Sequence, residues 1–253
     1  MPIENDLIKY TLHLADTSLI MGHRLSEWTG HGPMLEQDIA ISNIALDWIG
    51  QSRNFYQYAA SLHGHSVTED SLAYLRDAGE YKNLLITELP NGDWANTILK
   101  EFFISTWQLY AYKALEKSSD KQLAAIAEKS LKEVTYHNRW SSEWVIRLGD
   151  GTQESNKRMN NALEILWPYT GEMFEPVNYE RALFQNRVIV DVSLLKNECQ
   201  KKINSVFEET TLLCPAENIW MHQGGKTGIH TEHLGFILAE MQFLQRAYPG
   251  CEW

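Results

Sequence analysis

Long stretches of the chain repeat apolar residues at the spacing i, i+3, i+4, i+7, which places them on one face of an α-helix. The repeat covers about five turns in one segment, at Ile41, Ile44, Ala45, Trp48, Ile49, Phe55, Tyr56 and Ala59. It recurs at Leu123, Ile126, Ala127, Leu131, Val134, Val145 and Leu148, and again at Leu234, Ile237, Leu238 and Met241. This periodicity predicts an all-α fold, with no sheet.

Glycine and proline separate the helical stretches. The pattern is interrupted at residues 30–33, 90–92, 149–151 and 224–225. We predict helices near residues 4–28, 34–62, 93–117, 120–148, 154–171, 192–210 and 229–247, with irregular segments near 64–92 and 172–191. Asp93 and Asp191 stand where an N-cap is expected, and residues 188–190 are a candidate for a short extended piece. Residues 1–253 are predicted to form a single helical domain.

The composition limits the class of function. A net charge of −11 argues against nucleic-acid binding, which needs clustered Lys and Arg, although a few local cations are still able to bind an anionic ligand. Cys199, Cys214 and Cys251 form no Cys-x-x-Cys pair, so we predict reduced thiols in a cytoplasmic protein. The N-terminus has acids where a signal peptide has lysines, and no apolar run approaches about 18 residues. We therefore expect a soluble protein that is not exported and has no membrane partner.

Two predicted helices carry a carboxylate–histidine metal motif in which the histidine is missing. One contains Asp47-x-x-Gly50 and the other Glu133-x-x-Tyr136. A di-iron four-helix bundle needs Glu-x-x-His on two facing helices, because a spacing of three puts an oxygen ligand and an imidazole on the same face. Here the acids are present and the imidazoles are absent. The pattern suggests a scaffold descended from a redox enzyme.

The polar stripe around the first motif has more than one interpretation. It consists mostly of amides with a single acid, at Asn43, Asp47, Gly50, Gln51 and Asn54. Such a stripe is either a solvated face, or a polar seam or partner interface. Gly50 costs roughly 1 kcal/mol in a helix interior relative to Ala, which suggests close packing there.

The histidines also have structural and metal-binding interpretations. Glu133 and His137 are i, i+4 neighbours, so they either share a hydrogen bond or belong to a ligand pair. His230 and His233 flank an acid at the start of the last helix, where they either cap and pack or bind a metal. A metal-dependent oxidase would use Asp47 together with these four residues. We favour the structural interpretation.

Two irregular segments supply cations and aromatic residues. One is residues 76–83 and the other is residues 181–183. Loops often carry binding function, and an elongated anionic ligand such as a CoA thioester needs cations for its phosphates and apolar contacts for its acyl arm. The alternative is that these are solvated loop charges.

Three sequence stretches resemble one known family. DIAISNIALDWIGQSRNFYQYAASL, LPNGDWANTI and IHTEHLGFILAEMQFLQRAYPG are similar to the C subunits of bacterial multicomponent phenylacetyl-CoA epoxidases. The resemblance implies a ferritin-like helical bundle with additional helices. It also implies pairing with a homologous catalytic A subunit, whose di-iron centre inserts one oxygen atom into the ring of phenylacetyl-CoA during phenylacetate degradation. A small B subunit and a reductase complete that system, and the C-type chain is regarded as structural.

The resemblance also implies roles for particular positions. Asp47, Gly50, Glu133 and Tyr136 correspond to the degenerate metal-motif positions, so no catalytic residue, metal or other cofactor is expected in this chain. Residues near the CoA-thioester path would be Glu80, Tyr81, Lys82, Asn83, Arg181, Ala182 and Leu183. The rival hypotheses are that the chain is itself a metal-dependent oxidase, with metal ligands Asp47, Glu133, His137, His230 and His233, or a free-standing ferritin-like binding protein.

Overall fold

The computed structural model describes residues 2–64, 66–216 and 219–251, and this part of the chain is helical with no strand. The all-α prediction is therefore confirmed. The helices are α1 (Pro2–Ser26), α2 (Leu35–His63), α3 (Glu69–Tyr74), α4 (Leu85–Glu88), α5 (Trp94–Leu115), α6 (Lys121–Gly149), α7 (Gln153–Leu166), α8 (Asn178–Gln185), α9 (Leu195–Phe207), α10 (Glu232–Met241) and α11 (Phe243–Ala247). Short 3-10 turns lie at Ala78–Glu80, Trp167–Tyr169, Gly171–Phe174, Val192–Leu194 and Gly225–Thr227.

The long helices lie close to their predicted positions, and the differences have local causes. The segments predicted to be irregular contain α3, α4 and α8, which are too short to show a helical repeat in the sequence. The helix predicted to reach residue 171 ends at Leu166, where a 3-10 turn containing Pro168 begins. Residues 188–190 form no strand, since Arg187 has a positive φ of 60° and the Val188 amide donates back to Leu183.

Both predicted N-caps are present. The Asp93 carboxylate accepts a hydrogen bond from the Asn96 amide at 3.1 Å, at the start of α5. The Asp191 carboxylate accepts one from the Ser193 amide at 3.0 Å, but it caps the 3-10 turn that precedes α9. Each cap satisfies an amide at a helix start that has no partner within its own helix.

The chain divides into two compact units. The first unit is Met1–Pro90 with Gln223–Trp253, and the second is Asn91–His222. In the first unit α1 packs along α2, α4 lies beside α1, and α10 lies beside α4. In the second, α6, α7 and α9 pack against α5. The single domain over residues 1–253 stays a prediction.

Helix α5 is the centre of the second unit. Every residue from Thr97 to Leu109 is buried, including Lys100 and Glu101. A helix that is buried on all sides belongs to a core, and charged residues inside a core need polar partners. The polar positions of α5 are therefore where a buried site in this unit would lie.

Close packing of a helical glycine occurs in α1 and not at the position predicted from the sequence. Gly50 is exposed, and a Cβ added there would meet nothing within 4 Å. Gly22 of α1 is the position that approaches α2, since a Cβ there would lie 2.8 Å from Ile49 Cδ1 and 3.3 Å from Trp48 Cβ. The absent side chain at Gly22 lets α1 and α2 approach each other.

We expect Gly50→Ala to stabilise the isolated chain by about 0.5–1 kcal/mol, because alanine has the higher helix propensity and the site is open. Urea unfolding measures this change as a shift in the transition midpoint. The matched variant is Gly22→Ala, in which overpacking against Ile49 cancels the propensity gain, so no stabilisation is expected. Equal stabilisation by both variants would contradict the packing described for Gly22.

Candidate functional site

None of the four degenerate motif positions is fully buried. In α2, Asp47 is half-buried and Gly50 is exposed. In α6, Glu133 is half-buried and Tyr136 is exposed, with the Arg139 guanidinium 5.8 Å from the centroid of its ring. Gly50 and Tyr136 therefore do not occupy inward-facing ligand positions, where the metal motif would require its histidines.

The residues of the polar stripe on α2 differ in their burial. Gln51 is buried, Asp47 and Asn54 are half-buried, and Asn43 and Gly50 are exposed. The stripe predicted as one surface is thus divided between the interior of the first unit and its exterior. The division arises because a helix turns 100° per residue, so residues next to each other in sequence, such as Gly50 and Gln51, point in different directions.

A buried polar seam joins α5 and α6 in the second unit. His137 Nδ1 lies 3.8 Å from the Glu101 Oε1 atom of α5, and both side chains are buried. Asn138 Nδ2 donates to Thr106 Oγ1 at 2.8 Å, and the Ser105 and Ser141 hydroxyls are 3.3 Å apart. The i, i+4 spacing in the sequence predicts that Glu133 pairs with His137, and this stays a prediction; the structure places Glu101 of the adjacent helix beside His137.

Asp16 of α1 is the centre of a buried network in the first unit. Its carboxylate accepts hydrogen bonds from the Arg76 guanidinium, from the Tyr56 hydroxyl and, at 2.8 Å, from the Lys82 amide. Burial opposes the charge on Arg76, but Asp16 and the neighbouring tyrosines outweigh it and raise the guanidinium pKa. Burial and the charge of Asp16 also raise the pKa of Tyr56. The signal in the sequence was an acid in the stretch LHLADTSLIM, which has no other residue of fixed charge.

The first predicted substrate segment is largely turned inward. Tyr81 and Asn83 are fully buried, the Tyr81 hydroxyl donates to the Ala73 carbonyl, and Asn83 Nδ2 lies 3.3 Å from Thr87 Oγ1. Glu80 is exposed, and its carboxylate accepts a hydrogen bond from the Asp77 amide at 2.8 Å. Lys82 is half-buried, and burial lowers its pKa. Among the four predicted substrate residues Glu80–Asn83, Glu80 and Lys82 are the side chains that reach solvent.

The second predicted substrate segment is helical and belongs to the second unit. Arg181, Ala182 and Leu183 lie in α8, where Arg181 is exposed, Ala182 is half-buried and Leu183 is buried. Their alternation in burial is that of an amphipathic helix, so Arg181 is the member available to a ligand.

The two histidines near α10 have structural positions. His230 precedes the helix, with Nε2 2.9 Å from the Tyr81 carbonyl and Nδ1 3.2 Å from Glu88 Oε1. The Thr231 hydroxyl donates to Glu88 and accepts from the His233 amide as the N-cap. Burial alone would lower the pKa of His230, but the hydrogen bond and charge of Glu88 raise it. Because both ring nitrogens face acceptors, this site favours the imidazolium.

The described residues do not supply the donor set of a di-iron centre. Such a centre needs several carboxylates and histidines that converge. Across residues 2–64, 66–216 and 219–251 no group of three or more His, Cys, Asp or Glu side chains is placed to hold a metal ion. The residues of the metal hypothesis, Asp47, Glu133, His137, His230 and His233, thus form no such group.

His13 links α1 to the first predicted substrate segment. Its Nδ1 donates to the Lys82 carbonyl at 2.7 Å, and burial lowers the pKa of His13 to about 3. Its ordinary value near 6.5 holds in the unfolded chain, so the unfolded state binds more protons between these values. The contribution of the neutral His13 ring to the free energy of unfolding is therefore complete above pH 6.5, and it is lost as the pH falls toward 3.

We expect wild-type protein to lose about 2 kcal/mol of unfolding free energy through His13 on going from pH 7.5 to pH 5. The His13→Gln variant keeps an amide donor for the Lys82 carbonyl and should lack this loss. Urea unfolding of both proteins at the two pH values gives the difference. His31 is exposed, so His31→Gln should retain the wild-type dependence. A His13→Gln protein with an unchanged pH dependence would contradict the burial of a neutral His13.

Comparison with known proteins identifies the family. The family model for phenylacetic acid catabolic proteins matches residues 2–253. The chain is 45% identical over 249 residues to the C subunit of the 1,2-phenylacetyl-CoA epoxidase of Escherichia coli strain K12, an alignment that covers 98% of this chain and all of the relative. No helix among the described residues has the length and apolar composition to span a membrane. The chain therefore belongs to the phenylacetic acid catabolic protein family, which has a ferritin-like helical fold.

Proposed function

We propose that the chain is the structural, non-catalytic subunit of a cytoplasmic di-iron monooxygenase that epoxidises the ring of phenylacetyl-CoA. In this role it stabilises a homologous catalytic A-type subunit, which holds the metal, and works with a small B-type subunit and a reductase. The similarity to the C subunit of an epoxidase over 98% of the chain supports this assignment. The pathway served is aerobic phenylacetate degradation.

The observation that carries the non-catalytic role is how the buried carboxylates are used. Asp16 is paired with Arg76, Glu88 contacts His230 and Thr231, and Glu101 lies beside His137. A di-iron core brings carboxylates together, and without metal their charges are uncompensated in a low-dielectric interior. In this chain Asp16 and Glu88 are hydrogen-bonded to protein groups instead, and Glu101 has an imidazole 3.8 Å away. A duplicated subunit that loses its metal ligands needs this kind of replacement to keep its packing.

The proposed entrance for the CoA thioester uses the side chains that reach solvent in the two predicted segments. Lys82 and Arg181 are cations suited to phosphate groups, and Glu80 borders Lys82 in the chain. The other members of the two segments would hold the backbone that carries these side chains in position; they are Tyr81, Asn83, Ala182 and Leu183. Each segment is proposed for the entrance on its own exposure and chemistry.

A reconstituted enzyme tests the proposed function. The catalytic subunit with its small B-type partner and reductase is assayed for epoxidation of phenylacetyl-CoA, with and without this chain. We expect turnover and a stable catalytic subunit in the presence of the chain, and a large loss of both without it. Lys82→Gln and Arg181→Gln should raise KM with little change in kcat, whereas Arg158→Gln, an exposed cation elsewhere, should not. Full activity without the chain would overturn the proposal.

A further inference from the structure

The outward side of the C-terminal helices is apolar. Phe236 of α10 is 70% exposed and Phe243 of α11 is 62% exposed, and Leu244 is exposed beside them. Phe236 and Phe243 are seven residues apart and share one helix face, because Gln242 between the helices keeps a helical backbone. We call Phe236, Phe243 and Leu244 the C-terminal apolar face. Large apolar side chains exposed together on one helix face are typical of an interaction site.

A groove runs beside this face within the first unit. Its volume is about 540 Å³, and it lies between the C-terminal helices and the 3-10 turn that begins at Ala78. Phe243 forms part of its wall, and Gly235 and Ala239 line it with small side chains. Small residues allow a second helix to approach closely, and an open groove walled by a phenylalanine and by aliphatic side chains suits the apolar side of an amphipathic helix.

The acids around the C-terminal apolar face are not neutralised by the chain itself. Glu232 and Glu240 are exposed, and no described Lys or Arg lies within ion-pair distance of either. The nearby Arg246 is engaged, since it donates to Asp77 Oδ1 at 3.0 Å and to the carbonyls of Leu75 and Arg76. Glu232 and Glu240 therefore give the border of the C-terminal apolar face a negative charge, on a chain whose net charge is −11. Its electrostatic complement is a basic surface.

The C-terminal apolar face is held in place before any partner binds. Gln242 is buried, and its Nε2 atom donates to the Arg76 carbonyl at 2.9 Å and to the Tyr81 hydroxyl at 3.0 Å. Arg246 adds its own hydrogen bonds to the same loop. These contacts fix α10 and α11 against residues 75–81. A surface fixed in this way loses little conformational entropy on binding.

We propose that the C-terminal apolar face and its groove are the docking surface for an apolar helix of the catalytic A-type subunit, flanked by Lys or Arg residues that meet Glu232 and Glu240. This proposal rests on the proposed function and names the surface through which the chain acts. The two phenylalanines supply the apolar contact, and the acids orient the basic partner and speed its association.

The test measures the affinity of the purified catalytic subunit for variants of the full chain. Phe236→Ser combined with Phe243→Ser should weaken binding at least about 100-fold, since both rings would be buried at the centre of the proposed interface, where a few side chains carry most of the binding energy. Glu240→Lys should weaken binding about 10-fold at low salt and much less at high salt. The control is Ile165→Ser combined with Leu194→Ser, two exposed apolar residues that lie in separate helical segments of the second unit and should leave affinity within about 3-fold. Circular dichroism and thermal unfolding confirm that every variant is folded.

The outcomes separate this proposal from the proposed function. Wild-type affinity of the phenylalanine double variant, or loss of binding in the control variant instead, would overturn the docking surface while leaving the scaffold role in place. Loss of self-association of the chain, with partner binding unchanged, would assign the face to a second copy and overturn the proposal. Failure of the wild-type chain to bind the catalytic subunit would overturn both.

Discussion

Replacing Asp16 with asparagine should destabilise the chain by about 3–5 kcal/mol, because it leaves the buried Arg76 guanidinium without its counter-charge. The uncharged amide would also weaken the hydrogen bonds from the Tyr56 hydroxyl and the Lys82 amide, which the carboxylate now accepts. Urea unfolding followed by circular dichroism measures the free energy of unfolding in wild type and variant. The effect is large because the pair lies in the interior of the first unit, where water cannot replace the lost carboxylate.

The control for Asp16→Asn is the same chemical change in an exposed ion pair. Glu154 accepts from Arg158 Nε at 2.7 Å, and both side chains face solvent. Glu154→Gln should cost less than about 1 kcal/mol, since exposed pairs contribute little. Equal effects of the two variants would contradict the buried network around Asp16.

Gly228→Ala is the second change with a large expected effect, about 3 kcal/mol or more of lost stability. Gly228 has a φ of +89°, and a Cβ there would lie 2.2 Å from the Gly79 carbonyl oxygen. The added methyl group incurs the left-handed backbone cost of roughly 1–2 kcal/mol and a clash with a backbone atom, which cannot swing aside as the end of a flexible side chain would. Urea unfolding measures the loss, and limited proteolysis should show that residues 76–83 become accessible.

The matched variant for Gly228→Ala is Gly30→Ala. Gly30 has a similar φ of +81°, but a Cβ there would meet nothing within 4 Å. It should therefore show the backbone cost alone, about 1–2 kcal/mol. If Gly228→Ala were no more destabilising than Gly30→Ala, the close approach of Gly228 to Gly79 would be wrong.

The long helices were predictable because their periodicity is a local property of the sequence. α2 and α6 each carry the apolar repeat over many turns, and Asp93 and Asp191 mark the starts of other helical segments by side-chain chemistry alone. Helices of a few residues, such as α3, α4 and α8, contain too few apolar positions to give a repeat. The division into two units was not visible either, since the first unit joins the two ends of the chain.

The spacing of residues in the sequence predicts which of them share a helix face, but it predicts neither the burial of that face nor its partners from other helices. The interval of three between Glu133 and Tyr136 says that they share a face of α6 and does not say that this face is buried. The partners of Asp16 and Glu101 are distant in sequence, so spacing had no means of finding them. The useful signal was an acid in a stretch that is otherwise mostly apolar, as at Asp16, Glu88 and Glu101, where burial requires a partner.

Iron counting on separately purified subunits tests the non-catalytic role most directly. The chain is expressed alone and together with the catalytic A-type subunit in iron-supplemented medium, and metal is measured by mass spectrometry after gel filtration. We expect fewer than about 0.1 iron atoms per chain for this protein alone, and about two per pair in the complex, held by the catalytic subunit. About two tightly bound iron or manganese atoms in the chain purified alone would contradict the scaffold role.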